Sequence, residues 1–343
     1  MDIGICGCGF IGRIHARAYK AMPGVSIRAV FDSDPEKARA MVQDTGARSS
    51  DSFDALLSDE RIEVVSVCLP TFLHREHVVR ALQAGKHVLC EKPIALTMDD
   101  ALAMFEAAEQ ARGRFMVGLT HRFYTENLLV QEAAASGRLG KVLSCSACRL
   151  GVRPDWSAGG WMSDPALSGG AATDFIIHDI DLCNWIGGEP RLVMAQGIRS
   201  PRGAWDYLDI SIDYESGVKG FVEGGWIFKG AWPFTQEHRI LGEKGAAQWR
   251  SRMGRNIEAR MQADSVVGIF VEGREAEYPQ WEKRDAFERE VEYFLECVRA
   301  DRTPEIVRPI DALRALQVSL AARQSAESRC PVEIRPAGEG KTG

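Results

Sequence analysis

Three side chains of this sequence are of types that carry out acid–base chemistry: Lys92 in the triplet Glu91-Lys92-Pro93, and the pair Asp174 and His178. A lysine just after a predicted parallel strand can stabilise the negative charge on a hydroxyl oxygen as its carbon loses hydride. A carboxylate beside an imidazole raises the pKa of the imidazole and orients the ring. The structural alternatives are a salt bridge between Lys92 and Glu91, and a surface ion pair for Asp174 and His178.

A helix is predicted over residues 172–186, and it places Asp174 and His178 on one face because residues four apart are neighbours in an α-helix. The apolar residues around this pair and the two glycines before it favour a functional pair over a surface ion pair. We predict no metal site from His178, Asp179 and Asp181, because Asp179 projects away from the other two.

A glycine pattern, Gly7-x-Gly9-x-x-Gly12, follows the first apolar run and opens a predicted helix. Gly7 permits a tight turn, Gly9 allows close approach of a pyrophosphate, and Gly12 lets the helix pack on the strand. The N–H groups at the start of the helix then face the phosphates. We therefore predict a dinucleotide site that includes these glycines and the intervening Phe10 and Ile11, the alternative being a glycine-rich turn without a ligand.

Asp32 ends the second apolar run, at the distance from Gly12 where a carboxylate meets the adenosine ribose. A carboxylate accepts hydrogen bonds from ribose hydroxyls and repels a 2′-phosphate, so we predict NAD in preference to NADP, with Asp32 and Ser33 in the site. NADP stays open because Arg13 or Lys37 could approach a phosphate from elsewhere.

Composition narrows the class of protein. The formal charge of -6, from 42 basic and 48 acidic residues among 343, argues against a nucleic-acid-binding surface. No apolar run is long enough to span a membrane, and residues 1–5 are expected to form a strand instead of a signal peptide. Nine cysteines, an odd number, predict a reducing, cytoplasmic location. Cys145-x-x-Cys148 lies in a predicted strand, where its two thiols face opposite sides, so we predict no metal.

The order of predicted elements indicates two domains. Residues 1–121 alternate strand and helix, as in an α/β Rossmann dinucleotide-binding domain with a parallel sheet. Residues 122–336 contain mostly strands, which predicts an α+β domain with a large open, mostly antiparallel sheet. Residues 337–343 are predicted to be a flexible tail. An open sheet needs its exposed face covered, so self-association is expected.

Several further motifs show that the chain resembles the Gfo/Idh/MocA oxidoreductases, the family of glucose–fructose oxidoreductase and inositol dehydrogenase. These motifs, from Gly7 to about Pro331, are the glycine loop, Pro70-Thr71-Phe72-Leu73-His74, residues 84–93, Arg122-Phe123, and Asp174 with His178-Asp179-Ile180-Asp181. Two departures stand out: Pro70 precedes Thr71 where the family order is Thr-Pro, and His121 stands where many members carry Asn or Arg.

The resemblance implies hydride transfer at a secondary alcohol or ketone of a sugar or cyclitol, in a homodimer or homotetramer. Lys92, Asp174 and His178 fall on the family's catalytic and substrate-binding residues, and the histidine resembles inositol dehydrogenases. The resemblance also implies that Pro70, Thr71, His74, Glu91, Lys92 and Arg122 line the cofactor site. Arg122 and Trp161 are candidate substrate contacts, and His15 is expected to be structural.

Two other functions stay open. One is an enzyme that cleaves or epimerises glycosides while reducing and reoxidising NAD within one turnover. The other is a sensor that binds NAD without catalysis, although the presence of Lys92, Asp174 and His178 speaks against it.

Overall fold

The computed structural model describes residues 1–153, 158–253 and 264–335, so the tail predicted over residues 337–343 lies outside the described residues. The chain divides into two compact units. The first unit contains residues 1–120 and 284–312, and the second contains residues 121–283 and those from Leu313 onward.

The first unit is built on a parallel sheet with the strand order β3-β2-β1-β4-β5-β6. Its strands are β1 (Asp2–Cys6), β2 (Ser26–Phe31), β3 (Arg48–Ser49), β4 (Ile62–Val67), β5 (His87–Glu91) and β6 (Phe115–Gly118). Between them lie α1 (Phe10–Lys20), α2 (Pro35–Thr45), α3 (Phe53–Leu57), α4 (His74–Gln83) and α5 (Met98–Gln110). The predicted alternation of strand and helix is confirmed.

Side-chain caps explain where several of these helices begin. The Thr97 hydroxyl accepts a hydrogen bond from the Asp100 N–H before α5, as the Thr-x-x-Asp pattern predicts. Asp34 caps α2 by accepting from the Glu36 N–H, with Pro35 at the first helical position.

The second unit is built on an eight-stranded sheet with the order β13-β12-β11-β7-β10-β9-β8-β14. Its strands are β7 (Val142–Val152), β8 (Pro190–Arg199), β9 (Trp205–Tyr214), β10 (Lys219–Phe228), β11 (Phe234–Gly242), β12 (Gly245–Met253), β13 (Asp264–Val271) and β14 (Val332–Glu333). It also contains α6 (Thr125–Ala135), α7 (Pro165–Ser168) and α8 (Ile177–Gly187). Only β7 and β10 pair in parallel, so the predicted fold class is confirmed. Among the helices of the described residues, none combines the length and apolar content needed to cross a membrane.

Two helices follow the last long strand: α9 (Ala286–Arg299) and α10 (Pro309–Ser328). The sequence-based boundaries place residues 284–312 in the second domain, whereas in the structure they form part of the first unit. The physical reason is the amphipathic α9, whose Val291, Phe294 and Leu295 are completely buried. Phe287 of this helix packs beside His15 of α1, with 6.3 Å between ring centroids.

The continuous helix predicted over residues 172–186 is wrong. Ala171–Phe175 forms a π-helical turn, and α8 starts at Ile177. The Ile176 N–H donates to Ala171 O at 3.0 Å, whereas an α-helix would use Ala172 O. The Ser319 hydroxyl of α10 donates to that Ala172 carbonyl at 2.9 Å, so a distant side chain stabilises the wider turn.

Candidate active site

The glycine loop between β1 and α1 has the geometry expected of a phosphate-binding turn. Gly7 has φ +97°, and a Cβ there would lie 2.3 Å from Cys68 O. A Cβ on Gly12 would lie 2.0 Å from Gly7 O, whereas a Cβ on Gly9 would meet nothing within 4 Å. Gly7 and Gly12 are therefore required by the fold, and the space beside Gly9 is open for a ligand.

The Asp32 carboxylate lies directly after β2 and is held by the backbone. Its Oδ2 accepts from the Cys8 N–H at 2.7 Å, and its Oδ1 accepts from the Asp34 N–H at 2.8 Å. Two amide donors therefore fix the orientation of the carboxylate. Lys37 Nζ lies 3.3 Å from Asp34 Oδ2, and Ser33 is exposed beside Asp32.

His74 connects the two loops that follow β4 and β5. Its Nε2 lies 2.8 Å from Leu69 O and its Nδ1 lies 2.9 Å from Pro93 O. Burial lowers the pKa of His74. Because a neutral imidazole donates from only one nitrogen, it donates to only one of these two carbonyl oxygens at a time. Pro70 and Thr71 lie in the same turn, with Thr71 buried, so the predicted residues of this segment lie together at the carboxyl ends of the strands.

Glu91 ends β5, and its side chain points into the interior of the first unit. Its Oε1 lies 2.9 Å from His15 Nε2, and its Oε2 accepts from the Lys92 N–H at 3.2 Å. Both His15 and Glu91 are buried, whereas Lys92 is half-buried. His15, for which a structural role is expected, thus makes a buried contact with Glu91, the residue before Lys92.

In the second unit, Asp174 and His178 lie on consecutive elements. Asp174 is buried on the π-helical turn, and His178 is half-buried in the first turn of α8. The His178 ring stacks on His121, with centroids 4.6 Å apart and an interplanar angle of 26°. His121 stacks in turn on Tyr124, at 4.1 Å. The imidazole of His178 is therefore held from one side by a buried aromatic stack.

A buried arginine, Arg149 of β7, connects this stack to α8. Its Nε donates to Asp179 Oδ2 at 2.6 Å, and its Nη2 donates to His121 Nε2 at 2.8 Å. The Arg149 guanidinium therefore contacts both the Asp179 carboxylate and the His121 ring. The sequence indicated no role for Arg149, since it lies within a strand far from both partners along the chain.

A second buried ion pair joins Arg122 to Asp181. Arg122 Nε lies 2.9 Å from Asp181 Oδ2, and Nη2 lies 2.7 Å from Oδ1. The guanidinium also lies 5.2 Å from the centroid of the Trp185 ring. Arg122 is a predicted contact of the cofactor or substrate. Two of its guanidinium nitrogens form hydrogen bonds with Asp181 within the second unit.

Trp161 lies in a 3-10 helical segment, Ala158–Ser163. It is half-buried and packs against a cluster formed by Met162, Ala171 and Trp226. This cluster lies beside the turn that carries Asp174, so Trp161 is placed near a proposed catalytic residue.

Both parts of the chain match models of one protein family. Residues 1–119 match the model described as the oxidoreductase family, NAD-binding Rossmann fold. Residues 127–248 match the GFO/IDH/MocA C-terminal domain.

Similar proteins include enzymes named as hydratases and enzymes named as dehydrogenases. The 2,7-anhydro-N-acetylneuraminate hydratase of Escherichia coli is 30% identical over 255 residues, which cover 72% of this chain and 66% of the hydratase, just under two thirds. The myo-inositol 2-dehydrogenase of Thermotoga maritima is 27% identical over 355 residues, covering 97% and 98%.

A solved levoglucosan dehydrogenase, in complex with NADH and levoglucosan, has a TM-score of 0.85 and 22% identity, over 97% of this chain and 99% of that chain. At this identity the likeness supports the fold. With both family models matched in order along the sequence, the chain belongs to the Gfo/Idh/MocA family of oxidoreductases, with an NAD-binding Rossmann fold at its N-terminal end.

Proposed function

We propose that this protein is an NAD-dependent dehydrogenase that transfers hydride between nicotinamide and a secondary alcohol or ketone of a cyclitol or sugar. The observation that carries the proposal is the placement of His178, whose ring is stacked on His121 and which follows the turn that carries Asp174. The names of the inositol and levoglucosan dehydrogenases among similar proteins support this substrate class.

Each of the three predicted catalytic residues has one role in this proposal. His178 accepts the hydroxyl proton of the substrate, and Asp174 orients the imidazole and balances its charge. Lys92 stabilises the alkoxide while the carbon passes hydride to nicotinamide C4. When a ketone is reduced, the same groups return the proton.

Arg149 and His121 support His178 in this role. The His121 ring, which stacks on His178, is itself contacted by Arg149 at 2.8 Å. Asp179 neutralises Arg149, as shown by their contact of 2.6 Å. The stack therefore orients the His178 ring.

We further propose that NAD is preferred to NADP. The supporting observation is the Asp32 carboxylate, which two backbone N–H groups hold at the end of β2. A 2′-phosphate at this position would meet a fixed negative charge. The remaining predicted cofactor contacts, including Phe10, Ile11 and Ser33, lie in the segments that begin α1 and follow β2.

The experiment that tests this function is a substrate panel. The purified protein is incubated with NAD and with inositols, hexoses, pentoses and anhydrosugars, and the absorbance of reduced nicotinamide is followed. We expect NADH to accumulate with at least one cyclitol or sugar. Tight NAD binding without turnover across the whole panel would contradict the proposal and favour an NAD-binding sensor.

A second candidate is supported by the hydratases among similar proteins, of which two are 30% and 31% identical. For this chain, the second candidate is an enzyme that cleaves or epimerises glycosides while NAD is reduced and reoxidised within one turnover. The two candidates differ in one readout: cycling consumes substrate without net NADH.

We also propose that the second unit self-associates through the outer face of its sheet, giving a dimer or tetramer. Large apolar side chains, including Met194, Phe221 and Leu241, are more than 40% exposed on its strands. Such exposure across a sheet is typical of an interface.

A further inference from the structure

A buried cluster of three titratable side chains lies in the first unit, next to Lys92. It consists of His15 on α1, Glu91 at the end of β5 and Glu290 on α9. One carboxylate oxygen of each glutamate and one ring nitrogen of His15 lie within 4.8 Å of one another. His15 and Glu290 are 0% exposed, and Glu91 is 5% exposed.

The hydrogen bonds of the cluster leave one oxygen unsatisfied. The Thr120 hydroxyl donates to Glu290 Oε2 at 3.1 Å, whereas Glu290 Oε1 has no hydrogen-bond partner in the described part of the chain. Glu91 uses both oxygens, one toward His15 and one to accept the Lys92 N–H. A buried carboxylate oxygen without a donor is costly, and a proton on Glu290 reduces that cost.

The charges of the cluster lead to the same conclusion. Within the cluster, the imidazole of His15 is the group that can carry a positive charge. Titratable groups around the cluster include Tyr19, Cys68, Cys90 and Asp285. Two neighbouring carboxylates in the interior repel each other when both are ionised, and one proton on the pair removes that repulsion. Burial, and then the charge of Glu91, raise the pKa of Glu290 well above its usual range.

We propose that Glu290 is protonated at neutral pH, and that this proton lets Glu91 position Lys92 through the hydrogen bond that Glu91 accepts from the Lys92 N–H. If Glu290 lost this proton, it would repel Glu91, which holds the Lys92 backbone. Glu91 and Glu290 are thus positioning residues for Lys92. The positioning role rests on the proposed catalytic role of Lys92, whereas the protonation of Glu290 does not.

The protonation is tested without any substrate, by infrared spectroscopy of the full chain. Glu290→Gln keeps the shape of the side chain and removes its proton equilibrium, and Glu296→Gln on the same helix is the control because Glu296 is exposed. At neutral pH, we expect a protonated-carboxyl C=O band in the wild type and in E296Q that is lost in E290Q. A wild-type spectrum without a band that E290Q removes would overturn the proposal, as would a stoichiometric metal ion bound by the three side chains.

Unfolding at different pH values provides a second readout. Because the raised pKa of Glu290 means that the folded state binds the proton more tightly, this contribution to stability is lost as pH rises from about 4.5 towards the folded-state pKa. Relative to E290Q, the folding equilibrium constant of the wild type should fall about tenfold per pH unit over that range. A ratio of the two folding equilibrium constants that does not change with pH would overturn the proposal. If E290Q fails to fold, Glu290→Met replaces it in this comparison.

The positioning role is tested with Glu91→Gln. With selectively labelled lysine, the Lys92 amide resonance should move in E91Q and stay in place in E296Q. With a substrate in hand, kcat of E91Q at saturating NAD should fall at least tenfold, whereas kcat of E296Q should stay at the wild-type value. An unmoved Lys92 resonance, or an unchanged kcat, would show that Glu91 does not position Lys92.

Discussion

The two units place their functional groups in different ways. In the first unit, the candidate cofactor groups follow the carboxyl ends of β1, β2, β4 and β5, and backbone amides fix Asp32. In the second unit, side chains from the segment before α6, from β7 and from α8 form a buried polar network around His178. The first arrangement depends on strand order and local turns, and the second depends on contacts between distant segments.

This difference predicts that substitutions in the first unit's loops change cofactor affinity, whereas substitutions in the second unit's network change turnover and stability. Lys92 is the exception, because it belongs to the first unit and is assigned to the chemistry. The following experiments test that division.

The largest effect is expected from the proposed catalytic residues. Lys92→Ala and His178→Ala should each lower kcat by about 10² to 10⁴-fold, because positioned acid–base and electrostatic groups contribute that much. NAD binding by calorimetry should stay near the wild-type value, and Lys20→Ala, at an exposed site of the same unit as Lys92, should keep normal turnover. Near wild-type kcat in either variant would show that its role is misassigned.

The buried ion pair of the second unit should matter mainly for stability. Asp179→Asn leaves Arg149 buried without its carboxylate, so the free energy of unfolding in urea should fall by about 3–5 kcal/mol. The matched change Lys219→Gln breaks an exposed pair with Asp213 and should cost about 1 kcal/mol or less. Equal losses in the two variants would remove the distinction between the network and an ordinary surface pair.

A smaller effect is expected at the cofactor loop. Asp32→Ala removes the carboxylate proposed to bind the ribose hydroxyls, which should weaken NAD binding by about 2–4 kcal/mol and reduce the preference for NAD over NADP. Asp51→Ala, at an exposed site of the same unit, is the control. If the ratio of the two dissociation constants is unchanged in Asp32→Ala, the carboxylate does not contact the ribose.

The smallest effect concerns acid sensitivity in the second unit. Burial lowers the pKa of His238 from 6.5 to about 4. The unfolded chain therefore binds this proton first as pH falls, and stability is lost by up to about 1.4 kcal/mol per pH unit between these values. Urea unfolding at a series of pH values should show this slope in the wild type and a weaker one in His238→Gln. If the stability of the wild type and of His238→Gln changes equally with pH, His238 is not the group responsible.

Much of the first unit could be predicted from sequence because its determinants are local. The glycine spacing, Asp32 and the cap at Thr97 each act within a few residues or at a strand end, where parallel strands place ligands. The packing of α9 in the first unit could not be predicted in this way, because its partner His15 lies far from it along the sequence.

The polar network around His178 in the second unit was harder to predict from the sequence for the same physical reason. Ser319 donates a hydrogen bond to the π-helical turn, and Arg149 contacts the His121 ring. Neither partner lies near the residue that it affects along the chain, and no spacing rule connects them. The sequence indicated Asp174 and His178, but not the groups that hold them.

The most direct test of the proposed function is to follow the hydrogen that is transferred. A substrate found in the panel is prepared with deuterium on its carbinol carbon, incubated with NAD, and the nicotinamide is analysed by mass spectrometry. A dehydrogenase should yield one deuterium in the reduced cofactor for each ketone formed, and Lys92→Ala and His178→Ala should slow its appearance together. Product formed without any deuterium passing through nicotinamide would contradict hydride transfer, and deuterium returned to the product without net NADH would identify the cycling enzyme instead.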